Sequence, residues 1–86
     1  MSDLQAQFEQ AAKDVMELSN RPDDQTLLKL YGLYKQATEG TIKGKRPGFS
    51  DFKGRAKYDA WARFRGKSPE WAMGEYVKLV TELQRK

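Results

Sequence analysis

The chain has 86 residues, 16 Lys+Arg against 12 Asp+Glu for a net charge of +4, and neither cysteine nor histidine. That length fits one domain over 1–86 with a small core. The missing cysteine excludes disulfides and thiolate metal sites, and the missing histidine removes both the commonest general base and the commonest metal ligand.

The first helix is expected to open at Ser2, with Gln5 completing a capping box. Leu4, Phe8, Ala11, Val15 and Leu18 then repeat at helical spacing and form its buried stripe. Asn20-Arg21-Pro22-Asp23 turns the chain. Asp23 or Asp24 caps a second helix that runs to Glu39 and stops at Gly40. Leu27, Leu28, Leu30, Tyr31, Leu33, Tyr34 and Ala37 cover more than half of its circumference. Such a helix packs on more than one neighbour or keeps one apolar side as a binding surface, a use that suits tyrosine with its flat body and polar tip.

The segment 41–50 reads as a loop, long for a helix connection in so small a chain. It is either functional or a crossover between helices that are not adjacent. Lys43 and Lys45 read equally well as solvated loop charges or as part of a basic patch, whereas Arg46, beside Pro47 and the next helix start, is expected to be held in place. Ser50 or Asp51 caps the third helix, which is expected to end near Arg65-Gly66. Ser68 with Pro69 directly after it opens the fourth, whose inward face is Ala72, Tyr76, Leu79, Val80 and Leu83. Tyr76 is therefore expected to be packed, and its hydroxyl needs a partner. The pattern is all-α, with four helices.

Charge is unevenly spread. Between 29 and 67 there are eleven basic and three acidic residues, a net +8, while the remainder carries a net −4. A basic middle in an otherwise acidic chain suggests an anionic partner. Two lysines are oddly placed on their helices. Lys57 lies in angle between Trp61 and Phe64, away from Arg55, Asp59 and Arg63, and Lys35 shares a sector with Leu27, Leu30, Tyr31, Tyr34 and Thr38. Each could simply extend its ammonium past apolar neighbours to water. Two such lysines beside aromatics make a bound anion with a flat or greasy part a competing reading.

No Gly-x-Ser-x-Gly elbow, phosphate-binding Gly-x-x-x-x-Gly-Lys-Ser/Thr loop or calcium loop is present, so catalysis is not expected. The N-terminus has no hydrophobic signal core and no run reaches the length of a membrane span, so the default is a soluble, cytoplasmic protein. A basic helical nucleic-acid binder would share the charge patch and the aromatics. However, the tyrosines and key lysines converge on inward-facing sides, where a phosphate backbone could not pass. A module for acidic protein partners would not need Lys35 and Lys57 beside aromatics.

The residues Tyr31-x-x-Tyr34-Lys35-Gln36-Ala37-Thr38-x-Gly40, followed by Arg46-Pro47-Gly48-x-x-Asp51-Phe52-Lys53-Gly54-x-Ala56-Lys57-x-Asp59-Ala60-Trp61, resemble the acyl-CoA-binding protein family. The resemblance extends over essentially the whole chain, with Phe8, Ala12, Val15 and Leu18 fitting the first helix and Ala72, Met73 and Tyr76 the last. It implies an up-down-down-up four-helix bundle with a shallow bowl, in which 41–50 is the crossover that lets the second and third helices run the same way. It implies non-catalytic binding of medium- to long-chain fatty acyl-CoA, with no cofactor, by a carrier or pool former of lipid metabolism. The protein would be monomeric, without nucleic acid and without stable membrane insertion, leaving room for transient contact with membranes or acyl-CoA-using enzymes. Position by position, Tyr31, Tyr34, Lys35, Lys57 and Tyr76 match the groups that hold the adenine, ribose and 3′-phosphate. Leu27, Leu30, Phe52, Lys53 and Ala56 match the remaining pocket, to which Met16, Gly32 and Leu33 also belong. Two departures stand out. Met16 occupies a commonly basic position, for which Arg21 could compensate, and Tyr58 stands where tryptophan is common, which should keep an aromatic wall beside Lys57.

Overall fold

The computed structural model describes residues 3–85. Helix α1 spans Leu4–Asp14, α2 Asp24–Glu39, α3 Phe52–Ala62 and α4 Pro69–Gln84, and there is no strand among the described residues. Each start is closed by a side chain that accepts from the backbone three residues on. Asp3 accepts from Ala6 at 2.7 Å, Asp23 from Thr26 at 2.7 Å, Asp51 from Gly54 at 3.0 Å and Ser68 from Trp71 at 3.0 Å. The Ser2 cap expected from sequence lies outside the described residues, and Asp3 holds that function. Two ends also differ from expectation. The α-helical bonding of α1 stops at Asp14, and Val15–Glu17 forms one 3₁₀ turn before Leu18 becomes extended. The apolar spacing continues through that turn because 3₁₀ tightening of a last turn preserves the face while it satisfies terminal carbonyls. Helix α3 likewise ends at Ala62, with Phe64, Arg65 and Lys67 donating only three residues back. Gly40 ends α2 at φ +81°, a value that favours glycine.

The contacts define the directions. Trp61 Nε1 donates to the Gly40 carbonyl at 2.8 Å, while Leu27 and Leu28 share a depression with Lys53 and Ala56. Like ends of α2 and α3 therefore meet, and the two run the same way. Gln36 Nε2 donates to the Lys67 carbonyl at 2.7 Å, joining the end of α2 to the start of α4, so these are antiparallel. Phe8 meets Tyr76, and Asp14 shares a groove with Thr81 and Gln84, so α1 and α4 are parallel. Helix α4 thus packs between α1 and α2, and α3 lies on the far side of α2. Phe8, Leu30, Leu33, Phe64, Tyr76 and Val80 form the core. Gly32 permits a close approach of α3 to α2, because a Cβ there would lie 2.3 Å from the Ala60 carbonyl oxygen.

The segment between α2 and α3 is pinned along its length. Ile42 is buried, and the Tyr58 hydroxyl donates to the Gly44 carbonyl at 3.1 Å. Arg46 makes a two-bond pair with Asp59, Nε to Oδ1 at 2.9 Å and Nη2 to Oδ2 at 2.6 Å, which satisfies the expectation that Arg46 is held. This pair lowers the Asp59 pKa below the usual carboxylate value, first through the hydrogen bond and then through the charge of Arg46. A depressed folded-state pKa means that the clamp's stabilisation is complete above the unfolded carboxylate value, about 4, and is lost as pH falls through the folded value. Thermal melts from pH 7 to 2.5 should show part of their acid-side decline disappear in Asp59→Asn. The change should be small because both side chains are about half exposed. An unchanged acid-side slope in that variant would remove the clamp from the account.

Candidate functional site

The principal axes of the molecule measure 42 × 28 × 15 Å. Its thin dimension exceeds one helix diameter, ~10–12 Å, only slightly. A large ligand must therefore lie on it. Four surface grooves of about 300 Å³ or more are candidates, and their linings decide between them. One between α2 and α3, about 330 Å³, is lined by Gln25, Leu28, Lys29, Ala56, Asp59, Ala60, Arg63 and Phe64, and it has no tyrosine and no residue of α1 or α4. The one between α1 and α4, about 450 Å³, is lined by Ala6, Gln7, Gln10, Ala11, Asp14, Val77, Val80, Thr81 and Gln84 and has neither a cation nor an aromatic. The other two adjoin one another and share Leu27 and Tyr31.

The first of the adjoining pair, about 300 Å³, lies where α1, α2 and α4 meet. Ala12, Val15 and Met16 come from α1 and its 3₁₀ turn, Leu27, Leu30, Tyr31 and Tyr34 from α2, and Tyr76 from α4. The second, about 400 Å³, lies between the first halves of α2 and α3. It adds Leu28, Lys53, Ala56 and Lys57, with the Arg21–Asp24 ion pair, 3.4 Å, on its edge. Together they form a mainly apolar trough with tyrosines at its middle and lysines along one side. Its size is in the range of small-molecule sites, roughly 300–1,000 Å³.

Aromatic packing fixes the tyrosines. Phe8 stacks on Tyr34 at 5.4 Å and meets Tyr76 edge-on at 5.1 Å, and Tyr34 lies 6.0 Å from Tyr76. Phe8 thus supports the inner side of Tyr34, which is still 41% exposed. Tyr76 is buried as expected, yet its hydroxyl makes no protein hydrogen bond among the described residues. Burial, and secondarily Tyr34, pushes its pKa above the ordinary tyrosine value, so it keeps its proton at neutral pH. It is a donor held beside the trough.

The two lysines differ. Lys57 Nζ lies 5.6 Å from the Tyr31 ring centroid, and among the described residues Lys57 is not in an ion pair. Lys35 Nζ lies 5.0 Å from the Trp61 centroid and donates to Glu39. That hydrogen bond, the leading cause, raises the Lys35 pKa above the ordinary lysine value. Of the residues matched from sequence, Met16, Leu27, Leu30, Tyr31, Tyr34, Lys53, Ala56, Lys57 and Tyr76 come together in the trough. Lys35 does not line it. Gly32 packs on Ala60, Leu33 is fully enclosed in the core, and Phe52 is 79% exposed outside both depressions. Tyr58 does not wall the trough, because its hydroxyl reaches the crossover at Gly44. The expected inward placement holds only in part: Tyr76 is buried and Tyr31 and Lys35 are half-buried, whereas Tyr34 and Lys57 are exposed at the surface. Sequence reasoning omitted Leu28, whose signal is the angular width of the α2 apolar face, Ala12 and Val15, which it places only on the first helix, and Asp24, which it reads only as a cap.

A flat helical bundle with an open, amphiphilic trough of this kind defines a ligand-binding protein for a molecule that is partly anionic and partly apolar. The family model described as acyl-CoA-binding protein matches residues 5–80, and the chain belongs to that family. The crystal structure of acyl-CoA-binding protein 2 of Oryza sativa is similar, with 42% identity, a TM-score of 0.92, and coverage of 96% of this chain and 92% of that one. The crystal structure of the acyl-CoA-binding protein (ACBP) of Moniliophthora perniciosa is 38% identical with a TM-score of 0.86, over 96% of this chain and 80% of that one.

Proposed function

We propose that this chain binds medium- to long-chain fatty acyl-CoA thioesters without transforming them, as a single domain and a monomer that serves as a cytoplasmic carrier or pool. One observation carries the reading. Lys57, a cation without an acidic partner among the described residues, sits over Tyr31 at the junction of two apolar depressions. Acyl-CoA has the matching parts. Its phosphates suit Lys57 and the neighbouring Lys53, which also lines the trough. Its adenine suits the Tyr31 and Tyr34 rings, beside the Tyr76 hydroxyl as a donor. Its tail suits the strip of Leu27, Leu28 and Ala56. The one carboxylate among the described trough residues, Asp24, is paired with Arg21 at 3.4 Å, and the chain has no cysteine or histidine to act as nucleophile or imidazole base, so the thioester should leave intact.

Titration calorimetry across an acyl series tests this reading. Each methylene laid in the trough should add up to ~0.8 kcal/mol, so lengthening by two carbons should tighten binding by about fifteenfold at most, with a plateau once the trough is filled. Free CoA and free fatty acid should both bind much more weakly than the long-chain ester. Equal affinity for CoA and its ester would remove the tail contact. Release of free thiol beyond the protein's stoichiometry would overturn non-catalytic binding.

A further inference from the structure

Met16 is 87% exposed, more than any other large hydrophobic residue among those described, yet it lines the depression bounded by Ala12, Val15, Leu27 and Leu30. It stands on the 3₁₀ turn Val15–Glu17, beyond the α-helical bonding of α1. A thioether on three rotatable bonds can lie over whatever occupies that depression or swing out to water. The same openness leaves its sulfur within reach of small oxidants. The chain has no cysteine, so methionine supplies all of its sulfur. Of the three methionines, Met1 lies outside the described residues and Met73 is partly buried against the core. Met16 is therefore the accessible sulfur among the described residues, and it borders the trough.

Oxidation would reverse the polarity of that border. A lone pair on the sulfur attacks one oxygen of hydrogen peroxide. The S–O bond forms as the O–O bond breaks, and the sulfur gives up two electrons. The proton of the transferred oxygen goes to the departing hydroxide, which leaves as water. The product, methionine sulfoxide, is polar and chiral. A ligand lying over it would bury the new oxygen, which costs free energy unless a donor meets it. The polar side chains lining this depression are Tyr31, Tyr34 and Tyr76. A hydroxyl that turned to the sulfoxide would be lost to the ligand. Either outcome lowers affinity.

We propose that Met16 is a reversible oxidation site that sets how tightly the trough holds its ligand. Peroxide converts it to the sulfoxide, the sulfoxide weakens acyl-CoA binding, and bound acyl-CoA shields the sulfur from peroxide. This inference rests on the acyl-CoA reading. A thiol-dependent sulfoxide reductase restores the thioether, the oxygen leaving as water while two thiols join in a disulfide.

The test treats the folded protein with dilute hydrogen peroxide, stops the reaction with catalase and locates the added oxygen by mass spectrometry of proteolytic peptides. Met16 should oxidise at least fivefold faster than Met73. Saturating palmitoyl-CoA should slow Met16 by at least threefold and leave Met73 unchanged. Calorimetry should show palmitoyl-CoA bound at least threefold more weakly once Met16 is converted, with the thermal melt unchanged. Reductase treatment should restore the parent affinity. Met16→Leu, whatever its own affinity, should bind equally before and after peroxide, which assigns the effect to this sulfur. Unchanged affinity with Met16 converted overturns the proposal, as does a peroxide-induced loss that persists in Met16→Leu. Oxidation of Met16 that is indifferent to the ligand, or no faster than that of Met73, overturns it as well. Untreated protein that takes no palmitoyl-CoA would remove the proposed function and this inference with it. Binding that survives conversion of Met16 would remove this inference alone.

Discussion

Lys57→Met is expected to weaken acyl-CoA binding by ~1.5–3 kcal/mol, roughly 10- to 150-fold, the range for a hydrogen bond to a charged group. Methionine keeps an unbranched stem for packing over Tyr31 and removes only the ammonium, which lies 5.6 Å from that ring and forms no ion pair among the described residues. Folding stability should therefore hold. Lys35→Met should cost less, because Lys35 already donates to Glu39 and an incoming phosphate must compete with that carboxylate. The decisive comparison is with the ligand lacking its 3′-phosphate. If Lys57 reads that group, the parent should bind acyl-dephospho-CoA weakly and Lys57→Met should lose little more toward it. An equal loss for both ligands would place Lys57 elsewhere on the molecule it binds, and no loss for either would make it a solvated lysine.

Gly32→Ala should lower stability by roughly 1–3 kcal/mol, although alanine is the better helix former by ~1 kcal/mol. The added Cβ would lie 2.3 Å from the Ala60 carbonyl oxygen, 2.8 Å from its carbonyl carbon and 2.9 Å from Phe64 Cε2. Two of those atoms are backbone, so relief requires α3 to move away from α2. Such a shift also moves Lys57 away from Tyr31, and acyl-CoA affinity should fall with stability. Gly74 supplies the control. A Cβ there meets nothing within 4 Å, so Gly74→Ala should gain ~0.5–1 kcal/mol. Urea unfolding of the pair reads both signs. A Gly32→Ala protein as stable as Gly74→Ala would mean that the two helices separate without cost.

What was legible in the chain was local. Asp23 as a cap, Gly40 as a stop and Ser68-Pro69 as a start depend on bonds spanning three or four residues, and the structure forms each of them. Leu18 misled because it keeps the helical spacing of Leu4, Phe8 and Ala11 while the backbone beneath it has already tightened and turned out. The side chains whose partners lie far along the chain were less legible. Tyr58 is expected from the resemblance to wall the site beside Lys57, yet the carbonyl that orients it is fourteen residues away. Lys35 reads as a ligand lysine, but its Glu39 partner sits one turn on, a spacing that could have revealed the pair. Gln36, enclosed among apolar residues, finds its acceptor thirty-one residues later at Lys67. A wheel gives the direction in which a side chain leaves its helix, and the opposing helix decides what it meets.

The 15 Å depth of the molecule carries a kinetic consequence. A trough on so thin a body has no interior to enter and needs no gate. On the proposed function, capture would be set by diffusional encounter, steered by the basic edge, at or above the usual 10⁵–10⁷ M⁻¹s⁻¹. Chain-length preference would then be written in residence times. A cargo that rests on a surface can be handed to the next acceptor as soon as it lets go.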